Sequence, residues 1–236
     1  MAMSELRIIS GNIFTSQCQT IVNTVNCVGV MGAGIALECR LRYPDMYQQY
    51  AALCKDGKID IGTLWIYKAT KRWILNFPTK HHWKYPTKEE YLHAGLRKFM
   101  STYEARGVES IAFPVLGAQN GGLEAARSIE IMESYLRDCP IKVEIYQYDP
   151  MALDDLFDKF KERMLTLGLE DLKNITGLRS DYINRIREAL ANPIMRQLNQ
   201  LARVNGIGDK TLEKAFAFVR NEASGTTSSY QRGLDL

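Results

Sequence analysis

One stretch of the chain decides its fold: Asn23-Thr24-Val25-Asn26-Cys27-Val28-Gly29-Val30-Met31-Gly32-Ala33-Gly34-Ile35-Ala36. An apolar segment runs into two asparagines and three glycines, and a helical pattern follows them. Glycines let backbone N–H groups approach a ligand without interference from Cβ. A helix N-terminus behind such a loop offers unpaired N–H donors and a positive dipole end, which suits phosphate. Asparagine amides can bind sugar hydroxyls or orient a water. The stretch therefore predicts a site for a sugar beside a phosphate.

Two common nucleotide-binding loops do not fit this glycine spacing. The Gly-Lys-Ser/Thr element of ATP-hydrolysing loops is absent. Gly29-x-x-Gly32-x-Gly34 also reverses the Gly-x-Gly-x-x-Gly order of dinucleotide-binding folds. A tight strand-to-helix turn that uses glycine for packing alone stays open at this point, although such a turn does not need paired asparagines.

A second strand–loop–helix unit repeats the arrangement later in the chain. Ser110–Leu116 reads as a buried strand, the loop Gly117–Leu123 holds three glycines, and a helical pattern runs from about Glu124 to Arg137. Loops that follow neighbouring parallel strands line the same crevice, where ligands bind in open α/β sheets. We therefore expect both glycine loops to face one ligand.

The composition fits a packed protein without a membrane segment. Of 236 residues, 46% are hydrophobic and 10% aromatic, and the net charge of +3 neither requires nor excludes nucleic acid. No apolar run reaches membrane-spanning length and the polar start lacks a signal-peptide core, so we expect a cytoplasmic protein. The five cysteines are Cys18, Cys27, Cys39, Cys54 and Cys139, and their spacing is not that of metal ligands. We therefore expect reduced thiols, and neither a bound metal nor a cofactor.

Alternating strand and helix patterns predict an α/β fold, with a mostly parallel or mixed sheet flanked by helices on both faces. The predicted strands are Leu6–Ser10, Thr20–Val25, Thr63–Ala69, Trp73–Phe77, Ser110–Val115 and Val143–Tyr148. The predicted helices are about Ile35–Tyr43, Pro44–Lys55, Thr87–Arg106 and Glu124–Arg137. Thr87, with Glu90 three residues on, has the pattern of a helix N-cap.

The pattern changes near Asp149-Pro150, after which only helices and turns are predicted. A helix over Ala152–Thr166 is assigned to the first domain, which gives an α/β domain over residues 1–165. A small all-α domain is predicted over residues 166–223. The polar segment 224–236 is predicted to be a disordered tail.

The helical region holds a weak internal repeat, in which Leu172–Leu178 aligns with Leu201–Ile207. The second copy resembles a helix-hairpin-helix module, and its Gly206, Gly208 and Lys210 would grip a DNA phosphate without reading sequence. The first copy lacks the second glycine. A helical bundle that serves only as a protein contact surface remains the alternative.

Residues 5–150 resemble a macrodomain, the ADP-ribose-binding α/β fold. The resemblance rests on Gly11-Asn12-Ile13, the Asn23–Ala36 stretch and Gly117–Leu123. Asn23–Gly32 and Phe77–Trp83 are most similar to the macrodomains of DarG-type antitoxins. Proteins of that group remove ADP-ribose from DNA bases that a DarT-type toxin has modified. The resemblance implies an ADP-ribosyl glycohydrolase, with ADP-ribosylated DNA as substrate and a cognate toxin as possible partner.

The family pattern also implies where ADP-ribose would lie. Asn12 and Ile13 would be beside the adenine, although many relatives have aspartate at the first position. Asn26 matches the asparagine that contacts the distal ribose and is placed among the catalytic residues, while Asn23 supports the site or is purely structural. The implied ligand-binding residues are Asn12, Ile13, Asn23, Val30, Met31, Gly32, Gly34, Gly117, Ala118, Gln119, Asn120, Gly121, Gly122 and Leu123.

Two further residues are implied in catalysis. Lys80 follows a buried strand and Pro78, and a lysine here is essential to cleavage in the related group. It would act as a neutral amine that attacks the sugar or as an ammonium that protonates the leaving base. Glu124 occupies a position where relatives with a lysine mechanism have a catalytic aspartate. A solvated Lys80 and a Glu124 that only complements a helix dipole are the structural alternatives.

A basic and aromatic cluster next to Lys80 is predicted to bind DNA: His81, His82, Trp83 and Lys84, followed by Tyr85. Aromatic rings stack on an unpaired base, and cations meet backbone phosphate. An ordinary exposed loop with a buried Trp83 is the alternative. At the level of function, a non-catalytic ADP-ribose reader and a hydrolase of small ADP-ribose derivatives also remain open.

Overall fold

A computed structural model describes residues 5–220 of the chain. They divide into two compact units, residues 5–148 and residues 149–220. The disordered tail predicted over 224–236 lies outside the described residues. Among the described helices, none has the length and apolar character needed to cross a bilayer.

The first unit is built on a six-stranded sheet in the order β1-β6-β5-β2-β4-β3. All neighbouring strands run parallel except β3, which is antiparallel to β4. The carboxyl ends of the five parallel strands therefore share one edge of the sheet. The strands are β1 Glu5–Gly11, β2 Thr20–Asn26, β3 Trp65–Lys68, β4 Trp73–Lys80, β5 Ser110–Pro114 and β6 Lys142–Tyr148.

Helices cover both faces of this sheet, which confirms the predicted fold class. They are α1 Gly34–Arg42, α2 Pro44–Lys55, α3 Glu89–Thr102 and α4 Ala125–Leu136, with a 3-10 turn at Ile13–Thr15. Alternate strand residues feed two hydrophobic cores, because successive side chains point to opposite faces. Ile21 packs in the core with α1 and α2, whereas Val22 packs in the core with α3 and α4.

Strand β4 is longer than predicted, since it continues through Pro78 to Lys80 instead of ending at Phe77. Proline lacks an N–H and is confined to strand positions that need no donor. Here β3 pairs with β4 only as far as Asn76, so Pro78 lies beyond that pairing. A register shift next to Asn26 then aligns this residue with Lys80. The extension therefore fixes Lys80 on the sheet itself.

The prediction that Thr87 caps α3 was wrong. The helix begins at Glu89, and its N-cap is Lys88, which makes no side-chain capping bond. Thr87 is buried instead, and its backbone N–H donates to the Gly121 carbonyl at 2.8 Å. A tertiary contact with the second glycine loop has therefore replaced the local capping interaction.

The second unit contains only helices among the residues described from 149 to 220. They are α5 Phe157–Thr166, α6 Leu169–Thr176, α7 Ser180–Leu190, a 3-10 helix Leu198–Arg203, and α8 Asp209–Arg220. Helix α5 packs against α7 and α8, so it belongs to the compact helical unit. The functional domain limits 1–165 and 166–223 stay a prediction.

Candidate functional site

The carboxyl edge of the parallel sheet collects most of the residues predicted to bind ligand. Asn12 follows β1, Asn26 and Lys80 end β2 and β4, and Gly117 opens the loop after β5. Because these strands are parallel, four segments far apart in sequence meet along one edge. Ligands of open α/β sheets bind at such an edge.

Asn26 shapes the first glycine loop from within. Its Nδ2 donates to the Val30 carbonyl at 2.6 Å, and its Oδ1 accepts from the N–H groups of Val28 and Val30 at 3.0 and 3.3 Å. The Tyr50 hydroxyl donates to the Asn26 carbonyl at 2.5 Å. These hydrogen bonds of the Asn26 side chain stabilise the loop. Its predicted contact with the ribose stays a prediction.

The rest of the first loop presents backbone toward solvent. Met31 is fully buried and anchors the loop in the core, whereas Val30 and Gly32 on either side of it are exposed. Gly34 begins α1 with a φ of 55°, a conformation that glycine favours. No side chain caps this helix at Ala33, so a ligand can meet its first turn.

The second loop is a compact turn in which glycine is required by sterics. The Gly117 carbonyl accepts from the Leu123 N–H at 3.0 Å. A Cβ on Gly121 would lie 2.5 Å from the Thr87 hydroxyl and would overlap the Gly117 carbonyl oxygen. Gly117 and Gly122 have φ values of 68° and 80°. These glycines therefore fold the loop, whatever it binds.

Lys80 and Asn120 join the two loops. The Lys80 ammonium donates to the Asn120 carbonyl of the second loop, and Lys80 pairs in the sheet with Asn26, which precedes the first loop. A Cβ on Gly34 would lie 2.5 Å from Asn120 Nδ2, so the loops touch. The structure thus brings Lys80 and both glycine loops together.

The setting of Lys80 changes its acidity. The side chain is half-buried, and this loss of solvent lowers the pKa of the Lys80 amine from its ordinary value. Burial disfavours the charged ammonium relative to the neutral amine. A lysine with a lowered pKa supplies more free amine near neutral pH, while the remaining ammonium is a stronger acid. Both predicted roles of Lys80 therefore remain chemically available.

Asn12 carries an unused donor at the site predicted for adenine. It caps the 3-10 turn after β1, and its Oδ1 accepts from the Phe14 N–H at 3.0 Å. Its Nδ2 is buried without a hydrogen-bond partner in the protein. The side chain can therefore donate to a ring nitrogen but offers no charged acceptor for an exocyclic amine. Ile13, next to it, lies in the core beside α1 and α2.

Asn23 is fully buried in the sheet, away from solvent. Its Nδ2 donates to the Asn76 Oδ1 on the adjacent strand at 2.9 Å and lies 3.9 Å from the Met31 Sδ. These contacts tie the first loop to β4. They give Asn23 a structural function, and any direct role toward a ligand stays a prediction.

Glu124 ends the second loop as the N-cap residue of α4. Its side chain is exposed and makes no capping hydrogen bond. This position fits an acid favoured by the helix dipole. The general-base role implied by the resemblance stays a prediction.

The segment after Lys80 forms an exposed aromatic surface. The His82 and Trp83 rings stack with centroids 5.4 Å apart, and the Tyr85 ring lies 5.6 Å from that of His82. Lys84 Nζ is 5.2 Å from the Trp83 centroid. Trp83 and Tyr85 are 50% and 65% exposed, so the alternative of a buried Trp83 was wrong. Exposed rings beside a lysine suit base stacking and phosphate contact.

Residues on other elements, which no sequence motif predicts, also support the site. Tyr50 on α2 and Thr87 before α3 hold the first and second loop, respectively. Asp60 lies 3.2 Å from His81 Nδ1 and 3.9 Å from Cys27 Sγ. Burial first, and then the Asp60 charge, raise the pKa of the Cys27 thiol to about 12. Long-range contacts of this kind leave no periodic signal in the sequence.

Comparison with solved structures now identifies the fold family. Over 61% of this chain and 97% of the other, the protein is 36% identical to the macrodomain of Mycobacterium tuberculosis DarG, with a TM-score of 0.59. The chain belongs to the macrodomain family. The macrodomain of Thermus aquaticus DarG is 39% identical, with 60% and 97% coverage and a TM-score of 0.57. The family model named Macro domain matches residues 22–132.

Curated relatives of this macrodomain carry a functional name. A DNA ADP-ribosyl glycohydrolase of Thermus aquaticus is 39% identical over 150 residues, which are 62% of this chain and 41% of the relative. The Mycobacterium tuberculosis protein of the same name is 42% identical over 119 residues, with 49% and 34% coverage. The chain therefore spans less than half the length of these relatives. "Thermosipho africanus DarTG in complex with ADP-ribose" is 33% identical, with 63% and 43% coverage and a TM-score of 0.59.

Proposed function

We propose that this macrodomain protein is a cytoplasmic DNA ADP-ribosyl glycohydrolase that reverses the modification made by a DarT-type toxin. The observation that carries the proposal is the position of Lys80 on the sheet edge between the two glycine loops, with its amine on the Asn120 carbonyl. The names of the similar curated proteins support the same reaction. The similar DarTG structure with ADP-ribose supports the ligand.

The loops divide the work of holding ADP-ribose. The exposed residues Gly32–Gly34 and the first turn of α1 supply N–H groups for the diphosphate, whereas the Val30 N–H already donates to Asn26 Oδ1. The second loop encloses the distal ribose from the opposite side, where Asn120 already contacts Lys80. Adenine lies toward Asn12, whose free Nδ2 donates to a ring nitrogen. This order places the anomeric carbon near Lys80.

Cleavage breaks the N-glycosidic bond between the base and the anomeric carbon, through an oxocarbenium-like transition state. As an amine, Lys80 attacks the anomeric carbon, and the base leaves with the proton that the amine gives up. The sugar ring then opens to an imine, which water hydrolyses to ADP-ribose and the free Lys80 amine. As an ammonium, Lys80 gives its proton to the leaving base while water adds to the sugar. Either route consumes one water and releases ADP-ribose and unmodified DNA. Glu124 is the proposed general base for that water.

The DNA strand is proposed to bind to the aromatic surface formed by residues 82–85. The stacked rings of His82 and Trp83 accept a neighbouring base, and Lys84 meets a backbone phosphate. His81 completes this segment. A strand held here enters the site next to Lys80, which directly precedes the segment.

The direct test is turnover of DNA that carries ADP-ribose on a defined base. We expect release of free ADP-ribose from single-stranded oligonucleotides modified on one type of base, measured by chromatography. Oligonucleotides modified on thymine and on guanine are compared with small ADP-ribose derivatives. Binding without release from either DNA would favour the reader function. Release from the small derivatives alone would favour metabolite processing.

The helical unit is proposed to add a sequence-independent grip on DNA. The turn Val204–Gly208 leads into α8, and the N–H groups of Thr211 and Leu212 donate to the Gly208 carbonyl. Gly206 has a φ of 80°, which favours glycine. Lys210 lies in the first turn of α8 and is exposed. Phosphate contacts of this kind position a protein on DNA without reading bases.

A charge placed in this turn tests the grip. A Cβ on Gly208 meets no atom within 4 Å, so Gly208→Glu and the neutral Gly208→Gln both fit. We expect Gly208→Glu to bind DNA about tenfold more weakly than Gly208→Gln at low salt, since a carboxylate repels phosphate. The gap closes as salt rises. Fluorescence anisotropy measures both affinities.

Turnover serves as the control in this experiment. Both variants are expected to cleave a short modified oligonucleotide at the rate of the unmodified protein. Point variants are preferred to deletion of residues 167–236, because α5 buries Phe157, Phe160 and Met164 within the helical unit. Equal DNA affinity of the two variants at every salt concentration would favour a protein partner, such as the toxin, for this unit.

A further inference from the structure

Three potential metal ligands meet at the edge of the sheet that carries Lys80. Cys27 directly follows β2, His81 directly follows β4, and Asp60 lies in the connection between α2 and β3. Asp60 Oδ1 is 3.2 Å from His81 Nδ1 and 3.9 Å from Cys27 Sγ. One ligand atom from each of the three residues lies within 4.8 Å of the other two. The sulfur, oxygen and nitrogen atoms thus surround a common point.

These separations are close to those of a tetrahedral zinc site. With Zn–S of about 2.3 Å and Zn–O or Zn–N of about 2.0 Å, tetrahedral ligands lie about 3.5 Å apart for S···O and about 3.3 Å apart for N···O. The observed 3.9 and 3.2 Å differ from these values by a few tenths of an ångström. The third separation, between Cys27 Sγ and a His81 nitrogen, is at most 4.8 Å, against about 3.5 Å in a tetrahedral site, so the exposed Asp60 and His81 side chains would adjust on binding.

We propose that Cys27, Asp60 and His81 form a binding site for one zinc-like divalent ion. The fourth coordination position faces solvent, because the side chains of Asp60 and His81 are more than half exposed. A thiolate with an imidazole and a carboxylate suits Zn²⁺, whereas Mg²⁺ and Ca²⁺ favour sites made of oxygen alone. On binding, the Cys27 thiol releases its proton to solvent, the neutral His81 Nδ1 contributes its lone pair, and Asp60 contributes its carboxylate.

The backbone around the three ligands is already ordered. The Cys27 N–H donates to the His81 carbonyl at 3.1 Å, which joins the ends of β2 and β4. The Asp60 connection forms its own turn, with the Thr63 N–H donating to the Asp60 carbonyl at 2.9 Å. The His81 ring packs edge-on against Tyr91 at 5.1 Å between centroids. The backbone therefore needs little rearrangement, although the Cys27 thiol must give up its contact with the Lys80 carbonyl at 3.3 Å.

An ion at this point would act on the neighbouring active-site residues. Cys27 directly follows Asn26, and His81 directly follows Lys80. Coordination would cross-link the ends of β2 and β4 through side chains, in addition to the backbone bond between Cys27 and His81. The spacing of the cysteines along the chain predicts no metal site, because the three ligands come from separate segments. The proposed ion would be structural and does not depend on the proposed glycohydrolase activity.

Cobalt binding to the full-length, chelator-treated protein tests the proposal. We expect one Co²⁺ per chain, with a thiolate-to-cobalt charge-transfer absorption that identifies Cys27 as a ligand, and displacement of Co²⁺ by Zn²⁺. Cys27→Ser should remove this absorption. Asp60→Asn and His81→Gln should each weaken binding at least about tenfold, by analogy with losses seen on perturbing metal sites.

Two neighbouring residues give matched controls. His82→Gln removes the adjacent histidine, and Cys54→Ser removes another half-buried cysteine; both are expected to bind Co²⁺ as the unmodified protein does. Circular dichroism of each variant without metal confirms that the variant is folded. Absence of the thiolate band, or equal loss of binding in the controls and the ligand variants, would overturn the proposal.

Discussion

Lys80→Ala is expected to release ADP-ribose from modified DNA at least about a hundredfold more slowly than the unmodified protein, the usual scale for loss of an acid–base or nucleophilic group. Affinity for free ADP-ribose should change much less, because both glycine loops keep their own hydrogen bonds. Single-turnover release measures the chemical step, and calorimetry measures the affinity. A large loss in turnover with binding retained assigns Lys80 to the reaction.

Two further lysine variants sharpen this result. Lys80→Arg keeps a positive charge but cannot form an imine or give up its proton near neutral pH, so it should be as inactive as Lys80→Ala. Lys84→Ala removes an exposed lysine of the aromatic surface and should weaken DNA binding while sparing the chemical step. Undiminished turnover by Lys80→Ala would move the chemistry elsewhere, with Glu124 as the next candidate.

The pH dependence of single-turnover release separates the two roles of Lys80. Burial lowers the pKa of its amine, so the transition lies below that of a free lysine. If the neutral amine attacks, the rate rises with pH through this lowered pKa. If the ammonium protonates the leaving base, the rate falls over the same range. If the rate of the Lys80→Arg variant shows no such change with pH, the change seen in the original protein is due to Lys80.

Strand and helix patterns were sufficient to predict the layered fold, because β2 and β5 are short apolar runs that lead into glycine loops. The location of the site at one edge of the sheet could then be predicted, since parallel strands align their carboxyl ends. Lys80 could be placed there only through resemblance to a family. Strand β4 was expected to end at Phe77. No sequence pattern shows that β3 pairs with β4 only as far as Asn76, which is why Pro78 can continue the strand.

Features that depend on long-range contacts were not predictable in this way. Thr87 has the residue type of a helix cap, yet a hydrogen bond to Gly121 holds it outside α3. Asn26 looks like a ligand-binding residue, and its amide is used to fold its own loop. Asp60 carries no motif and gains meaning only beside Cys27 and His81. The partners of Thr87 and Asp60 are distant in sequence, whereas those of Asn26 lie within its own loop.

A substitution at Gly32 should have the largest effect on ligand binding. Gly32 is exposed in the first loop, and a Cβ there meets only Val30 Cγ1, at 3.8 Å. Gly32→Glu is therefore expected to fold normally and to lose ADP-ribose affinity by at least about a hundredfold, because its carboxylate would enter the place proposed for the diphosphate. Like charges at close range in a partly buried site cost several kcal/mol, which is ample for such a loss.

This position gives a cleaner result than the second loop. Gly121→Glu should also abolish binding. Its Cβ would overlap the Gly117 carbonyl oxygen, however, so the loop would change conformation and the loss could not be assigned to charge alone. Gly208→Glu adds the same charge in the helical unit without a clash and should leave ADP-ribose affinity unchanged. Calorimetry and thermal unfolding are compared for all three variants. If Gly32→Glu bound ADP-ribose as tightly as the unmodified protein, the diphosphate would lie away from the first loop, and the uncapped start of α1 would have no phosphate to bind.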